Sequence, residues 1–276
     1  MKRLGGAGGS ADGDGSSPST ASLRQGPSGE TAGGQAMRRE RALLPIHHPE
    51  LDAIFRRTVG KSARTICVTA ANPGEGVTTF ALALARRGAA GGLKSVIVDA
   101  DVVNSDATLS RGLSRRFWSP IDLSPRGAVV RIDDWGLGLL PAPTGADPLV
   151  FRDPQLLRRM FNVALEDFDL VIVDASAVHD DSGYAIPADG IAASCEATVL
   201  VVSAGVTSEH VVRRAAARLA AADAHLCGAV LNDRFNPSLA DELCRQVQRL
   251  APLAPGLAAR MNRWVRRNAL LNMQIG

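Results

Sequence analysis

Three groups of residues in this sequence have types and spacing suited to holding a charged ligand. The first is the run Ala71, Asn72, Pro73, Gly74, Glu75, Gly76, Val77, Thr78, followed by Thr79. It fits the pattern G-x-x-x-x-G-K-[ST], with alanine in first place, everywhere except Val77, where a lysine normally reaches the β- and γ-phosphates. In such a loop the backbone N–H groups of the turn and of the following helix converge on one spot, and the helix dipole adds positive potential there. Gly74 and Gly76 let the chain adopt conformations that a Cβ obstructs. The second group is Asp99 and Asp101, closing the run SVIVDAD. The third is Asp174, closing DLVIVD. Carboxylates that emerge from apolar strands beside a phosphate loop suit a divalent cation or an attacking group. The competing readings are structural: Asp101 or Asn104 as the cap of a helix near 105–111, and Asp174 as the cap of its own loop.

The elements that must position these residues are legible in the pattern. Residues 65–69 are β-branched and apolar, as a buried parallel strand requires. From Thr78 to about Arg87, Phe80, Leu82 and Leu84 lie in a helix-forming run that Gly91 and Gly92 end. Further strands are expected at 95–98, 136–141, 170–173, 197–202 and 226–231. Helices are expected from Pro154 to about Leu165 with Asp153 as N-cap, over 187–195, over 208–222 capped by Thr207, over 239–250, and over 256–273. The stretch 115–134, broken by Pro120 and Pro125 and flanked by Trp118 and Trp135, reads as an irregular excursion with one short helix. The fold class is α/β: a mostly parallel, doubly wound P-loop NTPase sheet flanked by helices, with a disordered N-terminal tail. The expected divisions are a Gly/Ser-rich tail over 1–36, a linker and short helix over 37–60, the P-loop NTPase-like domain over 61–250, and a basic amphipathic helix over 251–276.

In order and spacing this set of motifs resembles the bacterial tyrosine-kinase (BY-kinase) branch of the MinD/ParA-like P-loop proteins, which serve capsule and exopolysaccharide synthesis. The resemblance runs from about His48 to about Asn236 and is closest in the loop ANPGEG; LLPAP at 139–143 falls where the family has a short strand and a small-residue turn. It implies that Gly74, Glu75, Gly76, Val77, Thr78 and Thr79 wrap the phosphates of ATP. It implies that Thr78, Asp101 and Asp174 serve Mg²⁺, that Asp99 and Asp101 act in catalysis, and that Asn232 faces the adenine. It further implies a membrane polysaccharide co-polymerase or chain-length regulator as partner, a homo-oligomer, and a cytoplasmic place at the inner membrane. The sequence departs from the family at Val77, at Val103 in place of an arginine, at Ala175–Ser176–Ala177 after the third aspartate, and in having Tyr184 as its one tyrosine. Three readings follow: a degenerate nucleotide-binding regulator or scaffold of polysaccharide synthesis; an active autokinase or ATPase that has relocated its cation; and a MinD/ParA-type positioning ATPase. The last lacks the lysine expected near Asn72 and Pro73.

Composition narrows the field further. The chain has 276 residues, 46% of them hydrophobic, enough for one sizeable core. A formal net charge of +3 argues against a dedicated nucleic-acid binder, and arginine supplies nearly all of the positive charge. The four cysteines show no metal-ligand spacing; Cys67 and Cys227 read as small buried hydrophobes in strands. No apolar run reaches the about 18 residues that a membrane span needs, and no apolar stretch at the N-terminus marks a signal peptide. His47 and His48 read as solvent-facing, and His179, Asp180, Asp181 and Ser182 as a solvated loop. Asp52, Arg56 and Arg57 loosely imitate the Glu/Arg pattern that precedes the first strand of BY-kinases; packing of that helix on the domain is the competing reading. In the last helix Leu257, Met261, Trp264, Val265 and Leu271 form one stripe among arginines. That pattern suits peripheral membrane contact or a stripe that covers the domain.

Overall fold

The computed structural model describes residues 46–121, 125–133, 136–145, 147–180, 185–233, 243–244, 247 and 255–267. Tyr184, Trp135, the tail over 1–36 and most of the helix expected at 239–250 lie outside the described residues. The elements met in chain order are α1 (Pro49–Arg57), β1 (Thr65–Ala70), α2 (Val77–Ala90), β2 (Ser95–Asp99), α3 (Asp106–Leu109), α4 (Pro125–Ala128), β3 (Val130–Arg131) and β4 (Gly138–Leu140). After them come α5 (Pro154–Arg159), β5 (Leu170–Asp174), α6 (Ala188–Ser194), β6 (Ala197–Ser203), α7 (Glu209–Ala221), β7 (Leu226–Asn232) and α8 (Pro255–Arg267). The seven strands form one sheet in the order β3-β4-β2-β5-β1-β6-β7, parallel except for β3.

The strands are apolar because both faces are covered. Successive residues point to opposite sides, so Ile66, Val68 and Ala70 join one core with Leu51 of α1 and Phe80 and Leu84 of α2. Cys67, Val96 and Val98 join the other, with Leu157, Met160, Phe161, Ile191 and Leu219 from the opposite helical layer. This is the doubly wound arrangement that the alternation of apolar strands and helices predicts. Cys67 is buried as expected, whereas Cys227, on the outermost strand β7, is half-exposed because no strand beyond it covers that edge among the described residues.

α1 packs on the domain. Leu51 is buried, Asp52 accepts a 2.6 Å hydrogen bond from Arg87, and the Arg87 guanidinium lies 4.9 Å from the centre of the Phe55 ring. Asp52 is therefore engaged within the chain. The guanidinium of Arg64, just before β1, donates to the carbonyls of Phe168, Phe161 and Leu165, joining β1 to the turn before β5. The helix expected from Pro154 to Leu165 starts as predicted, with Asp153 accepting from the amides of Gln155 and Leu156. It then widens after Arg159 into a π turn, Met160–Ala164, that turns Met160, Phe161 and Ala164 inward.

α2 lies close against the sheet at Gly88, where an added Cβ would stand 2.5 Å from Leu170 Cδ2 and 2.8 Å from Ser95 Oγ. Gly88→Ala is therefore expected to destabilise by about 1–3 kcal/mol through overpacking, although alanine is the better helix former. Urea unfolding of the two proteins measures it, and an unchanged midpoint would refute the close approach.

Candidate nucleotide and cation site

The cradle sits where β1 gives way to α2. Gly74 and Gly76 have φ of 82° and 99°, the left-handed region that glycine enters without steric cost. Gly76 is the N-cap of α2 and no side chain caps that helix. The first amides of α2 are thus left without a side-chain acceptor, as an anion-binding helix start requires. An added Cβ at Gly74 would meet nothing within 4 Å, so it is the left-handed backbone and not a lack of space that calls for glycine there.

The Glu75 side chain turns inward. Its carboxylate is buried and accepts from the Ala71 amide at 3.0 Å, from Asn72 Nδ2 at 3.3 Å and from the Thr207 hydroxyl. Its carbonyl accepts from Asn232 Nδ2 at 2.9 Å. The loop is therefore braced from behind by the β6–α7 turn and by the end of β7. Asn232 comes close enough that a Cβ on Gly76 would stand 2.6 Å from its Nδ2. Thr207 was expected to cap α7; Ser208 stands at the N-cap instead, and the Thr207 hydroxyl is given to Glu75. Val77 leans on the core cluster of β1 and α2. The two described lysines, Lys61 and Lys94, precede β1 and β2 and so lie at the opposite edge of the sheet.

The carboxylates gather at the same edge as the loop. Asp99 and Asp174 end adjacent parallel strands in direct register. Both are buried, and Asp99 Oδ1 and Asp174 Oδ2 each lack a hydrogen-bond partner. Asp99 Oδ2 accepts from the Thr108 amide at 2.8 Å and the Thr108 hydroxyl at 2.6 Å, and that hydroxyl in turn accepts from the Ala142 amide at 2.9 Å. Burial pushes Asp99 up to about 6, against the hydrogen bonds from Thr108, with the Asp101 charge adding to the rise. Burial also raises Asp174 well above the usual carboxylate range, and the neighbouring Asp99 charge adds to it, while a hydrogen bond with the Thr78 side chain opposes it. Arg111, half-buried beyond α3, is held below its usual pKa by burial, with the charges of Asp174 and Asp99 acting against that fall.

Asp101 is placed differently. It is partly exposed, its Oδ1 accepts from the amides of Val103 and Asn104 at 3.1 Å each, and its Oδ2 accepts from Asn104 Nδ2 at 3.0 Å. It organises the turn after β2, while Ser105 takes the N-cap of α3. The structure thus brings Thr78, Asp99 and Asp174 together, and leaves Asp101 tied into its own turn.

Two oxygens buried without partners, in register and beside a threonine hydroxyl, are costly as they stand. A divalent cation supplies what they lack, so Thr78, Asp99 and Asp174 fit Mg²⁺ and the loop above them fits a phosphate chain. Of two further neighbours of the site, Thr108 had no signal in the sequence, and His179, read there as part of a solvated loop, is half-buried. Thr108 lies nine residues beyond Asp99 with no motif to mark it. The His179 amide donates to Ala71 O at 3.2 Å, which puts the residue against the start of the loop, with Nε2 buried and unpartnered among the described residues. Among the described residues no cluster of three or more His, Cys, Asp or Glu suggests a separate metal centre.

No family model matches this sequence. The chain is 29% identical over 181 residues to the tyrosine-protein kinase CpsD of Streptococcus pneumoniae, covering 63% of this chain and 77% of that protein. It is 26% identical over 191 residues to the CpsD of Streptococcus agalactiae, covering 66% and 80%. In fold it is similar to the kinase domain of VpsO, with a TM-score of 0.59 at 19% identity over 73% of this chain and 98% of the other. It is also similar to the septum site-determining protein MinD of Pyrococcus horikoshii, solved with Mg-ADP, with a TM-score of 0.51 at 19% identity over 63% and 72%. Sequence relatives and fold agree with the geometry of loop and strand ends: the chain is similar in sequence to the CpsD tyrosine kinases and shares the fold of BY-kinase domains and of MinD.

Proposed function

We propose that this protein is a nucleotide-binding regulator or scaffold of capsule or exopolysaccharide synthesis, with a P-loop cradle that holds Mg-nucleotide and turns it over poorly. The observation that carries this reading is Val77, an aliphatic side chain packed on the core where phosphoryl transfer calls for a cation. Most of the hold on the phosphates comes from backbone amides of Gly74–Thr79 and from a cation on Thr78 and Asp174, which this chain retains. Mg²⁺ would supply charge neutralisation of the phosphates; the lysine that stabilises charge developing in the transition state is lacking at its usual place. Asn232, which ends β7 and donates to the Glu75 carbonyl, is the candidate to face the adenine. The similarity to CpsD supports a capsule pathway, a membrane co-polymerase as the partner, and a cytoplasmic, membrane-associated place. No helix among the described residues is long and apolar enough to cross a membrane.

Calorimetric titration with Mg-ATP decides the matter. Wild type is expected to bind, and Val77→Lys to bind about ten- to a hundredfold more tightly, the worth of one charge-assisted hydrogen bond of about 1.5–3 kcal/mol. Wild-type turnover matching that of Val77→Lys would overturn the regulator reading.

One observation favours phosphotransfer as a second reading. Asp99 ends β2 in register with Asp174, whose side chain is hydrogen-bonded with that of Thr78, and one Asp99 carboxylate oxygen has no hydrogen-bond partner, as a group that takes the proton of an attacking hydroxyl requires. ATP turnover or autophosphorylation by wild type that disappears in Asp99→Ala would establish it.

A further inference from the structure

Beyond β4, at the same edge of the sheet as the cradle, the chain forms an open cleft of about 420 Å³ lined by Arg115, Arg116, Phe117, Gly127 and Ala128. We infer that this cleft binds a phosphorylated ring compound, a nucleoside or sugar phosphate, with Arg115 and Arg116 on the phosphate and Phe117 against the ring.

The backbone that carries the three side chains is fixed. The Arg116 amide donates to Ala142 O at 3.1 Å, and Arg116 O accepts from the Thr144 amide at 3.0 Å. The next residue but one, Trp118, is buried, donates its indole N–H to Pro141 O at 2.7 Å and packs edge-on to Phe151 with ring centres 5.3 Å apart. The side chains mounted on this anchor remain exposed, Phe117 at 63%. A large exposed aromatic ring on an anchored segment is a ready stacking surface.

The charge points the same way. Arg86, Arg87, Arg126, Arg213 and Arg218 each pair with a carboxylate. Among the described residues Arg115 and Arg116 do not. Each reaches one main-chain carbonyl, Val103 O and Ala128 O, at 3.4 Å. Most of their N–H donors are left for a ligand, and a pair of guanidiniums matches the forked geometry of a phosphate. Gly127 and Ala128 keep the floor clear, since a Cβ on Gly127 would meet nothing within 4 Å. The volume suits a small molecule and not an extended polymer. Arg115 also touches the turn that holds Asp101 and Val103, so the cleft borders the cradle without sharing its loop.

The test is calorimetry on the full chain with uridine monophosphate, glucose 1-phosphate, inorganic phosphate, uridine and glucose. One or both ring phosphates are expected to bind, more tightly than inorganic phosphate, while the uncharged compounds do not; which of the two binds better identifies the source. Arg115→Ala/Arg116→Ala should weaken binding by about tenfold or more, one charged hydrogen bond being worth at least that much. Arg115→Lys/Arg116→Lys should fall between, and Phe117→Ala should remove the preference for a ring. Thr78→Ala, in the other loop, should leave this binding in place. All three positions are exposed, so circular dichroism should be unchanged. No binding at millimolar concentration, binding lost in Thr78→Ala but kept in the arginine variants, or equal binding of inorganic phosphate insensitive to Phe117→Ala would each overturn the assignment.

Discussion

Without a bound cation, the folded protein should gain stability as the pH falls from about 7.5 to about 5, and Mg²⁺ should restore much of the difference at the higher pH. Asp99, with a pKa raised from 3.8 to about 6, binds its proton more tightly when folded. Above that pH both folded and unfolded chains hold the carboxylate charged, and the folded chain bears the full cost of burying it, about 3 kcal/mol. As the pH drops through 6 the folded form takes up the proton first and the cost is relieved; below 3.8 both forms are protonated and it is gone. Asp174 shifts in the same direction and adds to the slope. A cation between the two orphaned oxygens offsets the same charge, so the Mg²⁺-dependent rise in Tm should be large at pH 7.5 and small at pH 5. Asp174→Asn should raise the Tm of the cation-free protein at pH 7.5 and abolish the Mg²⁺ effect. Thermal melts across pH with and without Mg²⁺ measure all three, and a cation-free Tm that rises with pH in this window would refute the account.

Glu75→Ala should cost about 3–5 kcal/mol, a large loss for a residue in a surface loop. The truncation leaves the buried Ala71 amide and the half-buried Thr207 hydroxyl without their acceptor, and a stranded group costs about 1–3 kcal/mol, most at the amide. Glu75→Gln should cost about half as much. One oxygen remains, and the hydroxyl of Thr207 can turn to accept where the Ala71 amide cannot. Chemical denaturation gives the stabilities, and titration with Mg-ADP gives the functional side: loss of affinity in Glu75→Ala larger than in Thr207→Val. Equal stability of wild type and Glu75→Ala would show that the brace carries no weight.

Much of this architecture is legible in the sequence because it is local. Gly74 and Gly76 announce a left-handed turn, and the apolar runs ending in Asp99 and Asp174 announce strands that deliver carboxylates to one edge. What the sequence hides depends on contacts between distant residues. Glu75 reads as one of the residues that wrap the phosphates, and its side chain turns out to face the other way because strand order brings Thr207, 132 residues away, against it. Asp99 and Asp101 look alike in sequence. They differ because Asp99 ends the strand inside the sheet and meets Thr108, whereas Asp101 lies one step out and curls onto its own turn. The stripe on the last helix divides for the same reason. Val265 is buried with Cys244 and Leu243, while Trp264 is 62% exposed, a distinction that helical spacing alone does not draw.

The position of β1 in the sheet sets an order of events during synthesis. Its two neighbours are β5 and β6, which begin at Leu170 and Ala197, so the first strand made is among the last to find partners. Until the ribosome has passed those residues, an apolar segment that will end at the centre of the molecule has nothing to pair with. Loop closure over more than a hundred residues is slow, and an orphan strand of this kind is where misassembly begins.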